Sequence, residues 1–134
     1  MMANGGCHCG AVRYSLAGEP KHSSVCHCES CRRTTGGLTT AWVGFPREAL
    51  TVERGEPRSY NSSGGVERQF CGACGTSLFY FNEPAMPGVV DVLTATLDTP
   101  QAFPPALHVQ MADALPWEAK LEELPKFRRF PRQD

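Results

Sequence analysis

Val25-Cys26-His27-Cys28-Glu29-Ser30-Cys31-Arg32-Arg33 packs three thiols into one short segment, at C-x-C-x-x-C spacing. The chain holds seven cysteines. The other four fall far away in two pairs, Cys7 with Cys9 and Cys71 with Cys74. How the seven divide decides both the fold and its chemistry.

Around these clusters the pattern reads as mostly β. Ala11 to Leu16 alternates, with Val12, Tyr14 and Leu16 on one face. Ser23 to Cys28 reads as a short strand feeding the triple motif. Arg32 to Leu38 reads as a loop or one helical turn, stopped by Gly36-Gly37. Further strands are expected over Thr39–Phe45, Ala49–Arg54, Pro57–Asn61, Val66–Phe70, Thr76–Phe81, Val89–Leu97 and Leu107–Met111. Trp117 to Leu124 is a helical turn or irregular. The strands follow too closely for helical crossovers, which predicts antiparallel sheets. Trp42, Phe45, Phe79 and Phe81 read as core. Asp91, amid apolar neighbours, reads as a solvent-facing acid with no role.

The 134 residues fit a single domain, with a core over about 5–124 and a tail over about 125–134. That length buries a core without disulfide staples. Hydrophobic residues make up 41% and charged residues 20%, as in a folded globular chain. A net charge of −1 argues against nucleic acid as a partner. The basic run Lys126 to Arg132 reads as a solvated tail. No secretory pattern opens the chain and no apolar run would span a bilayer, so a cytoplasmic, reducing setting is expected. There, paired cysteines point to metal rather than disulfides.

Structural zinc takes four thiolate or imidazole ligands in a tetrahedron. Cys71-Gly72-Ala73-Cys74-Gly75 has the C-x-x-C form, with glycines where the backbone turns. If Cys7-His8-Cys9 is extended, its two sulfurs face one way and His8 the other. The two pairs together give a closed four-sulfur site tying the N-terminus to a distant hairpin. Cys26, Cys28 and Cys31 remain, enough to hold a second zinc with its fourth position open, the mark of a catalytic site. Two other divisions stand beside this one. His22, His27 or His108 closes the second site, His27 being the poorest placed. Alternatively, one cysteine of the triple exchanges into the structural site.

Three thiolates leave a divalent ion with a net negative charge, a weak Lewis acid suited to a soft fourth ligand. A coordinated thiol is deprotonated, and thiolate is the nucleophile. The site therefore points to activation of a substrate thiol for attack on an electrophile such as a carbonyl carbon. Arg32 and Arg33 offset the cluster's charge or grip a substrate carboxylate, or else are solvated. Glu29 is a candidate base or a surface acid. His8 and His27 face outward or support the ligands.

Gly6-Cys7-His8-Cys9-Gly10, then Cys26-His27-Cys28-x-x-Cys31-Arg32, then Phe70-Cys71-x-x-Cys74-Gly75, resembles the glutathione-dependent formaldehyde-activating enzyme family, also called Gfa-like or centromere-protein-V domains. His108-Val109 and Trp117 resemble that family's C-terminal element. The resemblance implies a β-tent fold of several coiled antiparallel β-sheets pinned by a four-cysteine zinc site. It implies a structural zinc at Cys7, Cys9, Cys71 and Cys74, and a catalytic zinc at Cys26, Cys28 and Cys31, two ions per chain. It also implies a carbon–sulfur lyase activity that adds glutathione to formaldehyde, giving S-hydroxymethylglutathione. The expected partners are then a small thiol and a small aldehyde. The chain is shorter than the founding enzyme, and no glutathione contact carries over by motif.

Two rival readings are a non-catalytic zinc scaffold, in which the second site is closed or empty, and a thiol redox protein. The zinc-bearing methionine sulfoxide reductases share the β-tent. A redox role calls for a reactive cysteine apart from the metal clusters, and the motifs use all seven.

Overall fold

A computed structural model describes residues 2–132. Its strands are β1 (Met2–Gly6), β2 (Arg13–Ala17), β3 (His22–Cys26), β4 (Thr40–Pro46), β5 (Leu50–Arg54), β6 (Arg58–Ser63), β7 (Val66–Phe70), β8 (Ser77–Asn82), β9 (Val89–Leu93) and β10 (Leu107–Val109). One short α-helix, α1 (Glu29–Thr35), lies between β3 and β4. The strands form a three-stranded sheet, β1-β2-β5, and a seven-stranded sheet, β10-β3-β4-β9-β8-β7-β6.

The mostly β, tent-like expectation holds, since among the described residues every strand pairing but one is antiparallel. The exception is β10, which runs parallel to β3. The chain leaves β9, crosses through 3-10 turns at Thr94–Thr96 and Pro100–Ala102, and returns on β3's outer edge. That connection is long enough for a parallel crossover, which no hairpin loop would be.

Several sequence boundaries move. The Arg32–Leu38 segment is helical earlier than expected, over α1, because Cys28 caps it and Gly36, at φ 82°, ends it. The strand expected over Val89–Leu97 stops at Leu93. The one expected over Leu107–Met111 stops at Val109, with a 3-10 turn from Met111. Trp117–Leu124 lies mostly in a 3-10 run, Pro116–Glu123. β1 was not legible, since Met-Ala-Asn-Gly-Gly has poor strand propensity. It forms because all five residues pair with β2, a tertiary effect.

The large sheet has two faces. One packs on the small sheet, burying Tyr14 and Leu16 of β2 against Val43, Phe45, Phe79, Val90 and Val92. Phe45 and Phe79 are at most 1% exposed, and burying a side chain of this size contributes roughly 1.5–3 kcal/mol. The other face carries a separate cluster of Cys26, Cys31 and Trp42, with Tyr80, Leu93 and Val109 packed beside it. The basic tail is exposed up to Arg132, and its last two residues lie outside the described ones.

Candidate metal centres and active site

Cys7 and Cys9 sit in the turn between β1 and β2, and Cys71 and Cys74 in the turn between β7 and β8. Their four sulfurs lie within 4.8 Å of one another. The hairpins belong to different sheets, so the cluster joins the two sheets at one end. The Cys7–Cys9 segment is not extended as expected. It turns, with the Gly10 N–H donating to the Cys7 carbonyl at 3.2 Å and Gly10 at φ 81°. The sulfurs converge by a turn instead of by strand alternation.

Sulfur separations are 3.6 Å for Cys7–Cys9 and 3.9 Å for Cys9–Cys71. A disulfide needs about 2.05 Å. A tetrahedron with metal–sulfur bonds of about 2.3 Å has edges of about 3.8 Å, so the donor set fits a four-coordinate ion. Hydrogen bonds from the Thr76 hydroxyl and N–H hold the Cys74 thiol down at about 5, while, against the Ala11 backbone bond, the neighbouring thiols push Cys9 up to about 11.

The triple motif converges as well. Cys26 ends β3, Cys28 caps α1 and Cys31 lies in its first turn. The three sulfurs fall within 4.8 Å of one another. The Cys31 N–H donates to Cys28 Sγ at 3.2 Å, as the Cys74 N–H does to Cys71 Sγ at 3.5 Å. Both C-x-x-C segments thus use the same turn. Cys31 holds the Cys26 thiol below its usual range. Burial raises Cys28, and the bond to Cys26, then burial, raises Cys31.

No imidazole joins them within 4.8 Å among the described residues. His27 faces away, as its placement between two thiols predicted, but it is buried rather than outward. Its Nδ1 meets Glu118 Oε2 at 2.9 Å and its Nε2 meets His108 Nδ1 at 2.9 Å. His22 Nε2 pairs with Asp91 Oδ1 at 2.6 Å.

Arg32 does not line the sulfur cavity. Its Nη1 donates to the carbonyls of His27 at 2.9 Å and Asp113 at 2.7 Å, which ties α1 to the C-terminal segment. Arg33 and Glu29 pair with each other in solvent. The arginine that reaches the cluster is Arg68 of β7, which the sequence reading passed over. It is 8% exposed and places Nη1 and Nη2 each 3.8 Å from Cys31 Sγ. A signal existed: Val66-Arg68-Phe70 puts a charge inside an apolar alternation.

Asp91 corrects a second expectation. It is buried, not solvent-facing. Strand register explains it, since directly opposed residues share a face. His22 pairs with Gly44, Gly44 with Asp91, Asp91 with Tyr80 and Tyr80 with Arg68, in one row across five strands. That row crosses the sulfur-bearing face. A cavity of about 370 Å³ opens there, with Cys26, Cys28 and Cys31 in its wall together with Trp42, Tyr80, His22 and Asp91. Trp42, expected as core, is buried at 5% yet also lines this cavity.

The family model described as glutathione-dependent formaldehyde-activating enzyme matches residues 2–113. A Halomonas elongata protein named in the same terms is 30% identical over 128 residues, spanning 87% of this chain and 80% of its own. A Phaeosphaeria nodorum protein of that name is 25% identical, over 92% of this chain and 58% of its own. An uncharacterized lyase of Schizosaccharomyces pombe is 33% identical over 57% of this chain and 55% of its own. The chain therefore spans most of the bacterial relative and little more than half of these fungal ones. The crystal structure of a Rhodobacter sphaeroides protein superposes with a TM-score of 0.63 at 25% identity, covering 79% of this chain and 99% of that one.

Proposed function

The chain belongs to the glutathione-dependent formaldehyde-activating enzyme family, and from that premise we propose that it joins a small thiol of the glutathione type to a small aldehyde such as formaldehyde. In this reading Cys7, Cys9, Cys71 and Cys74 hold a structural zinc, and Cys26, Cys28 and Cys31 hold a second. When bound, the second ion supplies a Lewis-acidic position that takes a thiol in its deprotonated form. The chain's own residues do the rest. All three cysteines line the cavity, so a fourth ligand would reach an ion held by them from that side. Trp42 and Tyr80 wall that cavity with apolar surface, and Arg68 sets a positive charge against the sulfurs.

In the reaction a carbon–sulfur bond forms and the carbonyl π pair moves onto oxygen. Oxygen gains the proton that the thiol gave up, and nothing is oxidised or reduced. The reverse cleavage makes the activity a carbon–sulfur lyase. Seven unpaired cysteines suit a reducing, cytoplasmic setting.

The observation that carries this reading is the placing of three converged sulfurs in a cavity wall, with His22 and His27 bonded to groups outside the cluster. Exchange NMR of glutathione with formaldehyde, with and without protein carrying two metals per chain, tests it. Exchange faster than the spontaneous rate is expected. No acceleration at full loading would leave a metal-pinned scaffold. A Cys26→Ser variant with unchanged metal content would do the same.

A further inference from the structure

The sulfur cavity has a second polar end. His22, Ser24 and Cys26 alternate along β3 onto one face. Four residue steps of strand separate His22 from Cys26, a Cα spacing of about 13 Å at the usual rise. At the His22 level lies Asp91, 5% exposed and lining the same cavity. Its carboxylate has one hydrogen-bond partner among the described residues, His22 Nε2. No lysine or arginine lines this cavity. A buried carboxylate is costly unless fully partnered, and burial raises Asp91 above the ordinary range against the opposing pull of His22.

The arrangement is built rather than incidental. His22 reaches Asp91 by lying across Gly44 on the strand between them. A Cβ at Gly44 would stand 2.6 Å from each ring nitrogen, so the absence of a side chain there is what admits the ring. The ring bonds one carboxylate oxygen, leaving the other for a ligand.

We propose that Asp91, oriented by His22, binds the ammonium group of the thiol substrate. This rests on the reading of the cavity as a thiol site. The spacing selects the class. In cysteine the ammonium sits beside the sulfur-bearing carbon and cannot reach the far end. In a γ-glutamyl cysteine peptide eight bonds separate sulfur from ammonium, about 10 Å when extended, which is the order of the backbone spacing between the two ends of the cavity. Asp91 thus sets specificity for aminoacyl-extended thiols, while the sulfur end is common to all thiols.

Calorimetric titration of the two-metal protein with glutathione and with N-acetylglutathione tests this, since acetylation removes the ammonium and keeps the thiol. The wild type should prefer glutathione by about tenfold to a hundredfold. Asp91→Asn should lose that preference and bind N-acetylglutathione as the wild type does. If Asp91→Asn does not fold, His22→Ala, at a half-buried position, serves instead and should also shrink the preference. Equal wild-type affinity for the two thiols, or equal loss of both in a folded variant, overturns the proposal alone. A wild type that binds neither thiol overturns the thiol-site reading and this proposal with it.

Discussion

Arg68 aims both terminal nitrogens of its guanidinium at Cys31 Sγ, each 3.8 Å away. Its other contacts fix that aim: Thr34 Oγ1 at 3.1 Å, Ser62 Oγ at 3.2 Å, and the Tyr80 ring beneath Cζ at 4.7 Å. Three thiolates on a divalent ion carry one net negative charge, and Arg68 is positioned to offset it. Groups that orient and neutralise ligands are worth about tenfold to a hundredfold in metal affinity. Arg68→Met should weaken the three-sulfur site by that factor and leave the four-sulfur site loaded. Arg68→Lys should recover part of the loss, since lysine keeps the charge without the planar fork. Competition with a graded chelator reads both. Unchanged affinity in the Met variant would reduce Arg68 to a packing role.

The two clusters should differ in what cysteine loss does to stability. Cys71 is 1% exposed and sits where the turns of two sheets meet. Cys71→Ser should therefore cost several kcal/mol of stability and release one metal, because binding there is coupled to folding. Cys26→Ser should release the other metal with the strand spectrum retained, since β3 is held on both sides by β4 and β10. Circular dichroism with metal analysis separates the cases. A Cys71→Ser protein that keeps its thermal transition would show that the core alone holds the sheets together.

The cysteines were legible because metal ligation depends on short local spacing, which a sequence displays directly. Both groups converge as that spacing predicted, even where the backbone turns instead of extending. The polar groups placed around the sulfur cluster and its cavity were not legible. Arg68, Asp91 and His22 come together through strand register across β3, β4, β9, β8 and β7, and pairing partners far apart in sequence carry no local signal. Each left a trace all the same: a charge within an apolar alternation for Arg68 and Asp91, a mid-strand glycine for His22's path. The placing of Arg32 was hidden for a related reason, because one of the two carbonyls it bonds, that of Asp113, belongs to a C-terminal segment with no pattern of its own.

Stability should carry the mark of Asp91. Burial raises its carboxyl while His22 opposes the rise. An acid whose folded value lies above its unfolded one, about 3.9, gives its full contribution below that unfolded value. The contribution is lost as pH rises through the folded value. Asp91→Asn does not ionise, so the wild type should lose stability relative to it on going from pH about 4 toward neutrality. Urea unfolding of the metal-loaded pair across that range measures the difference. A gap that does not change with pH would mean that His22 cancels the cost of burial.

Gly44 and Gly5 separate two effects of adding one methyl group. At Gly5 a Cβ would meet the Tyr14 hydroxyl and the backbone oxygen of Thr96, the latter at 2.5 Å. Tyr14 is 1% exposed and its hydroxyl bonds Thr96 Oγ1 at 2.7 Å, so neither neighbour can retreat. Gly5→Ala should cost about 1–3 kcal/mol by overpacking and leave thiol selectivity intact. At Gly44 the obstacle is the end of a side chain, the His22 ring, which is 32% exposed and has solvent to move into. Gly44→Ala should cost no more than the lost His22–Asp91 bond, about 1.5–3 kcal/mol. It should also erase the preference for glutathione over its acetylated form. Urea unfolding with calorimetric titration of both variants tests the pair. If Gly44→Ala kept its selectivity while Gly5→Ala lost it, the ring's path across β4 would have no bearing on ligand choice.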